Sequence, residues 1–124
     1  RLTVAGVDVD GDGVRDDIER LISRKYSADE RVRSTLLSFA REYQNVMSFP
    51  ATREQAIAIT SAIFEAVECA AVVAPDSYSD SVQDVELQML NTRARLQASE
   101  DFDAVVGGHV FEFSATPPSL ADCE

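Results

Sequence analysis

Apolar residues recur at helical spacing along most of the chain. Between Asp16 and Tyr26, Ile18, Leu21 and Ile22 form one face. Asp16 and Asp17 suit the start of that helix, where the dipole favours negative charge. Ser27-Ala28-Asp29-Glu30 reads as a capping box opening a second helix. Its stripe is Val32, Leu36, Phe39, Ala40, Tyr43, Val46 and Met47. Phe49-Pro50 ends it, because the residue before proline avoids the helical region. Thr52-Arg53-Glu54-Gln55 is a second capping box, and a third helix runs to about Val73. Ile59, Ile63, Ala66, Val67 and Ala70 mark its core face. Ile57, Phe64 and Ala71 widen the arc, which makes it the expected central helix. Ala74-Pro75-Asp76 breaks it. A fourth helix begins near Ser79 or Ser81 and carries Val82, Val85, Met89 and Leu96 on one face. It reaches Ala98, with room to continue through Phe102, Val105 and Val106, and Gly107-Gly108 stops it. Val110, Phe111 and Phe113 around Glu112 suggest one short extended segment, and Thr116-Pro117-Pro118 is rigid and non-helical. The expectation is an all-α, four-helix single domain over residues 1–124, with an N-terminal loop at 8–19 and an irregular tail at 107–124.

Composition narrows the partners. The chain has 124 residues, enough for one core and too few for two. Its formal net charge is −11, and Lys25 is its single lysine. Nucleic acid and anionic membrane surfaces both need a basic face, so neither is an expected partner, whereas a basic protein is. No stretch reads as a membrane-spanning segment, and the expected partner is a protein.

Much of that charge is concentrated in Asp8-Val9-Asp10-Gly11-Asp12-Gly13-Val14-Arg15-Asp16-Asp17-Ile18-Glu19. Acids stand at loop positions 1, 3, 5, 9 and 12 and glycine at position 6, the spacing of an EF-hand calcium loop. Calcium is a hard cation that takes six to eight oxygens, and alternating carboxylates on a curled loop supply them. Asp8, Asp10 and Asp12 would point inward. Val14 would offer its backbone carbonyl, leaving its side chain free to vary. Asp16 would bind directly or through water, and Glu19 would close the shell as a bidentate ligand. Gly13 sits where the backbone turns sharply, which favours a residue without Cβ. Six acids against one arginine repel one another strongly without a cation.

Position 8 of a paired loop is usually aliphatic, since it bridges to a second loop. Here it is Arg15, and no second Asp-x-Asp-x-Asp-Gly stretch exists. The preceding Arg-Leu-Thr-Val-Ala-Gly-Val is too short and too rich in β-branched residues for an entering helix. The loop therefore looks like a solitary site, similar to those of dockerin modules and many secreted bacterial proteins. A structural role for the ion follows more naturally than a sensor role, which relies on a loop pair opening a groove.

Cys69 and Cys123 are the two cysteines, an even count that permits a disulfide. Closing so long a loop is worth roughly 4 kcal/mol in the chain-entropy picture. Oxygen-ligated calcium and a disulfide both suit the outside of the cell, where free calcium is high and thiols oxidise. The chain opens on Arg1 without an initiator methionine, as a mature chain relieved of an export signal would.

Two stretches together resemble a group of small bacterial envelope proteins, periplasmic or lipid-anchored, with a solitary EF-hand-like loop near the mature N-terminus. One is Gly6-Val7-Asp8-Val9-Asp10-Gly11-Asp12-Gly13-Val14-Arg15-Asp16-Asp17-Ile18-Glu19. The other is Asn91-Thr92-Arg93-Ala94-Arg95 followed by Gly107-Gly108. They cover about a fifth of the chain. The resemblance implies an exported, mainly helical domain that binds calcium, and it implies no reaction.

Other chemistry is thin. His109 is the sole histidine and has no recognisable nucleophile or orienting partner. One histidine and two distant cysteines do not make a zinc site. Glu65 and Glu68, three apart on the third helix, are the candidate carboxylate pair for a hydrolase. Read as a solvated face, they could pair with Arg93 and Arg95, which have Glu86 and Glu100 as local alternatives. No catalytic residue is assigned. Two roles follow from different classes. One is a calcium-stabilised extracytoplasmic protein-interaction domain, in its specific form an immunity or inhibitor protein against a secreted toxin. The other is a hydrolase built on the helix-borne carboxylates.

Overall fold

The computed structural model describes residues 6, 8, 11, 13–47, 52–111, 116 and 118–123. Its helices are α1 (Asp16–Lys25), α2 (Glu30–Met47), α3 (Arg53–Val73), α4 (Tyr78–Met89) and α5 (Arg93–Val106), and a short 3₁₀ turn follows at Ala121–Cys123. Among the described residues there is no strand. Glu112 and Phe113 of the expected extended segment lie outside the described residues, as do Phe49 and Pro50.

Local chemistry explains the boundaries. Asp29 opens α2: its carboxylate accepts the amide N–H groups of Arg31 and Val32 at 2.9 and 3.3 Å. The cap is thus Asp29 rather than Ser27. At α3 both halves of the expected box form. The Thr52 hydroxyl accepts from Gln55 N, and the Gln55 side chain accepts from Thr52 N. Gly108, at φ +87°, follows the end of α5.

The expected fourth helix is two. The chain leaves the helical path at Leu90 and re-enters at Arg93, where the Thr92 hydroxyl accepts the Arg95 amide at 3.1 Å. Asn91 and Thr92 are weak helix formers whose side chains compete for backbone partners, so they favour a cap over a helix interior. The break resets the helical phase. In a continuous helix Leu96 shares a face with Met89. After the break Arg95, Ser99 and Phe102 turn inward, and Leu96 is 47% exposed.

Buried apolar residues from every helix make one core: Val14, Ile18, Ile22, Leu36, Phe39, Ala40, Tyr43, Val46, Met47, Ala56, Ile63, Ala66, Val85, Met89 and Phe102. All of the expected α2 stripe beyond Val32 is in it. The hub is α2, which packs against α1, α3, α4 and α5. That corrects the expectation that α3 is central. Only Ala56, Ile63, Ala66 and Ala70 of α3 are buried; Ala58 is exposed and its other apolar residues sit at intermediate depth. Among the described residues α3 is the one helix long and apolar enough to cross a membrane by length and composition. In this fold it packs on α2, α4 and α5.

Two tyrosines tie helices together at polar points. Tyr26 donates its hydroxyl to Asp84 at 2.8 Å, beside the Lys25–Asp84 pair at 2.7 Å, joining the end of α1 to α4. Tyr43 of α2 meets Ser99 of α5 at 3.5 Å. Burial, then the Asp84 hydrogen bond and charge, pushes the Tyr26 phenol up to about 12. Burial also pushes Tyr43 up to about 12. An unfolded tyrosine ionises near 10, so both contributions are intact below pH 10 and fade as pH rises towards 12. The expected result is that two of the three tyrosines stay un-ionised at pH 11 while the fold holds. Phenolate absorbance at 295 nm reads this directly. Ionisation of both Tyr26 and Tyr43 by pH 11 would contradict both contacts.

Candidate functional site

The acidic loop leads into α1, and three of its features are built by the backbone. The Asp8 carboxylate accepts the amide N–H groups of Gly11 and Gly13 at 3.1 and 3.0 Å, so loop position 1 draws both glycines towards itself. Gly13 has φ +87°, and a Cβ there would stand 3.1 Å from Cγ of Arg41 on α2. This is both a left-handed conformation and a close approach, which suits glycine. Asp16 and Glu19 lie half-buried in the first turn of α1, where three acids face the positive end of the helix dipole. Val14 is 1% exposed and belongs to the core. Its side chain is therefore not free to vary, contrary to expectation. Asp10 and Asp12 lie outside the described residues. Among the described residues no group of three or more His, Cys, Asp or Glu stands where it could hold a metal ion. The donors the loop offers are carboxylates and a carbonyl, hard oxygens of the kind calcium takes.

The residue at loop position 8 has a role that spacing did not reveal. The Arg15 side chain is 1% exposed. Its guanidinium pairs with Asp17 through two N–H groups, Nε to Oδ1 and Nη2 to Oδ2, the latter at 2.9 Å. The same guanidinium reaches the C-terminal end of α4. Nη2 donates to the Gln88 carbonyl at 2.8 Å and Nη1 to the Met89 carbonyl at 3.4 Å. These carbonyls belong to the last turn, where a helix has no backbone donors left for them, and a cation suits the negative end of the dipole. The Gln88 side-chain amide completes the knot by donating to Asp17 at 3.1 Å. Burial pushes the Asp17 carboxyl up. The hydrogen bonds of Arg15 and Gln88 and the charges of Arg15 and Arg95 outweigh it and hold the carboxyl below its ordinary range.

A second arginine lies in the same knot. Arg95 is 2% exposed and donates from Nη1 to the Asn91 side-chain oxygen at 2.6 Å. Its pKa is lowered by burial and then by the charge of Arg15, while Asp17 acts the other way. Two guanidinium groups thus share one carboxylate neighbourhood. Gly6 closes the cluster from the N-terminal side. At φ +76°, a Cβ built on it would stand 2.1 Å from Cδ of Arg15 and 3.1 Å from Nη2 of Arg95. Gly6 and Arg15 therefore meet Arg95, far away in sequence, in space. Arg95 does not lie on the solvated face where a pairing with Glu65, Glu68, Glu86 or Glu100 was expected.

The sequence carries a signal for this cluster. Arg15, Ile18 and Ile22 are three and four residues apart, so Arg15 extends the apolar face of α1 backwards. Arg95, Ser99 and Phe102 repeat that spacing once Thr92 is recognised as a cap.

The remaining candidates are dispersed. Glu65 and Glu68 line an open groove of about 280 Å³ together with Cys69, Thr116, Pro118 and Asp122. The carboxyl that burial and Glu100 raise is Asp103 on α5, which does not line that groove. His109 is exposed, its ring 4.6 Å from Phe111. Cys69 and Cys123 form a disulfide, with a Cα separation of 5.4 Å.

No family model, no curated protein and no solved structure matches this chain.

Proposed function

We propose that this is a calcium-binding extracytoplasmic protein-interaction domain in which the ion is structural. The supporting observation is the curl of the loop. Asp8 gathers two backbone amides at the head of an acidic loop whose next residues, Val14 and Arg15, are fixed in the core and on α4. Asp8, Asp10, Asp12, the Val14 carbonyl, Asp16 and Glu19 are the ligands. The ion neutralises a segment carrying six acids and leaves a chain that is still about −9. That residual charge suits a basic protein partner, and a toxin neutralised by an inhibitor or immunity protein is the specific form of this reading. The disulfide supports an oxidising compartment.

Calcium at 5 mM is expected to raise stability by about 2 kcal/mol over chelator-treated protein, the mass-action gain for a site of about 0.1–0.5 mM affinity. Differential scanning calorimetry with calcium, with magnesium and with chelator reads it. Equal melting temperatures in all three would remove the structural-ion reading.

A further inference from the structure

We propose that the C-terminal segment is a strap, seated between α2 and α3 by the Cys69–Cys123 disulfide and released from that groove by a dithiol. Among the described residues, every buried apolar residue of the cluster lies between Val14 and Phe102. Asp122 and Cys123 form one wall of a groove of about 250 Å³ whose other walls are Thr35, Ser38 and Glu42 of α2 and Ala62 and Glu65 of α3. The hydrogen bonds of the turn at Ala121–Cys123 are its own. Ser119 N donates to the Asp122 carboxylate at 2.9 Å, Asp122 N to the Ser119 carbonyl at 3.1 Å, and Cys123 N to the Leu120 carbonyl at 3.3 Å.

Among the described residues no ion pair ties this turn to the helices. Its acid, Asp122, shares the grooves with Glu42, Glu65 and Glu68, all of its own sign. Leu120 is 42% exposed, so it adds little apolar burial. The covalent bond is therefore what keeps the turn in place, by holding it at high effective concentration over the groove. The upstream end is held differently. Arg53 Nη1 donates to the Val105 and Gly107 carbonyls, both at 2.9 Å, and Phe111 packs edge-on against Phe64 at 5.4 Å. Those contacts do not involve the disulfide and are expected to survive its reduction.

Both cysteines are only partly buried, so a small dithiol can reach the sulfurs. Its thiolate attacks one Sγ and the Sγ–Sγ bond breaks. The other cysteine leaves as a thiolate and takes a proton. The second thiol of the reagent then attacks the mixed disulfide, freeing the first cysteine. The protein gains two electrons and two protons, and the reagent leaves as its cyclic disulfide. Release uncovers the α2–α3 groove.

Hydrogen exchange on the intact chain, with and without dithiothreitol, tests this, together with far-UV circular dichroism of the same samples. The Asp122 and Cys123 amides are expected to exchange about tenfold faster or more on reduction, while the amides of α1–α5 and the helical signal persist. Cys123→Ser without reductant should behave as the reduced protein does at Asp122. Unchanged exchange in the tail would show that non-covalent contacts hold it. Loss of the helical signal at 25 °C would make the bond a staple of the core. Either result overturns the strap.

Discussion

Replacing Arg15 by alanine is expected to destabilise the fold by about 3–5 kcal/mol, the usual loss when one partner of a buried charge pair is removed. For a chain of this size that is a drop of roughly 12–19 °C in melting temperature. The loss has three sources. Asp17, with a side chain only 30% exposed, loses its bidentate partner. The Gln88 and Met89 carbonyls lose their donors at the end of α4. The space of a fully buried side chain is left unfilled. Arg15→Lys should recover little of this, because one ammonium cannot serve a carboxylate and two carbonyls in a planar fork. Arg20→Ala, at an exposed position of the same helix, should stay within about 0.5 kcal/mol. Urea unfolding followed by circular dichroism separates these outcomes. A loss below about 1 kcal/mol for Arg15→Ala would mean that the cluster only decorates the surface of the core.

The same pair fixes the acid response. The Asp17 carboxyl is held below its unfolded range, so its contribution is complete above about pH 4 and fades as pH falls through its folded value. In Arg15→Ala the partner that holds the carboxyl down is gone, and this part of the acid dependence should flatten.

Much of the architecture was legible because burial follows period. Leu36, Phe39, Ala40, Tyr43, Val46 and Met47 repeat at three and four, and all are buried. Two things hid the rest. A mid-helix Thr can be an interior residue or a cap, and period alone does not choose. Reading Thr92 as interior merged α4 with α5 and put Leu96 on the wrong face. A charged residue on an apolar stripe is ordinarily discounted, because burying it demands a partner that a one-dimensional pattern does not show. Arg15 and Arg95 find their partners in Asp17, the end of α4 and Asn91, and those contacts depend on the break that the period missed. The spacing of the loop's acids is that of a calcium-coordination pattern, and that much was legible. The loop's attachment to the α4–α5 corner was not, because that is tertiary.

The attachment makes its own prediction at Gly6. Gly6→Ala is expected to cost about 2–4 kcal/mol. A left-handed conformation is worth about 1 kcal/mol against an L-residue. Overpacking adds about 1–3 kcal/mol, since the new methyl would stand 2.1 Å from Cδ and 2.6 Å from Cγ of Arg15, atoms buried too well to retreat. The two contributions separate in a double-mutant cycle. In the Arg15→Ala background both clashing carbons are absent, so what remains is the conformational part and the 3.1 Å approach to Nη2 of Arg95. Gly6→Ala should then cost about 1 kcal/mol, leaving a coupling of about 1–3 kcal/mol between two residues nine apart in sequence. If the two losses simply add, Gly6 is there for its own φ and not for Arg15. A positive coupling would mean instead that the chain before the acidic loop is held by the same guanidinium that caps α4. The acidic loop would then be anchored on both flanks, at Gly6 and at Val14-Arg15.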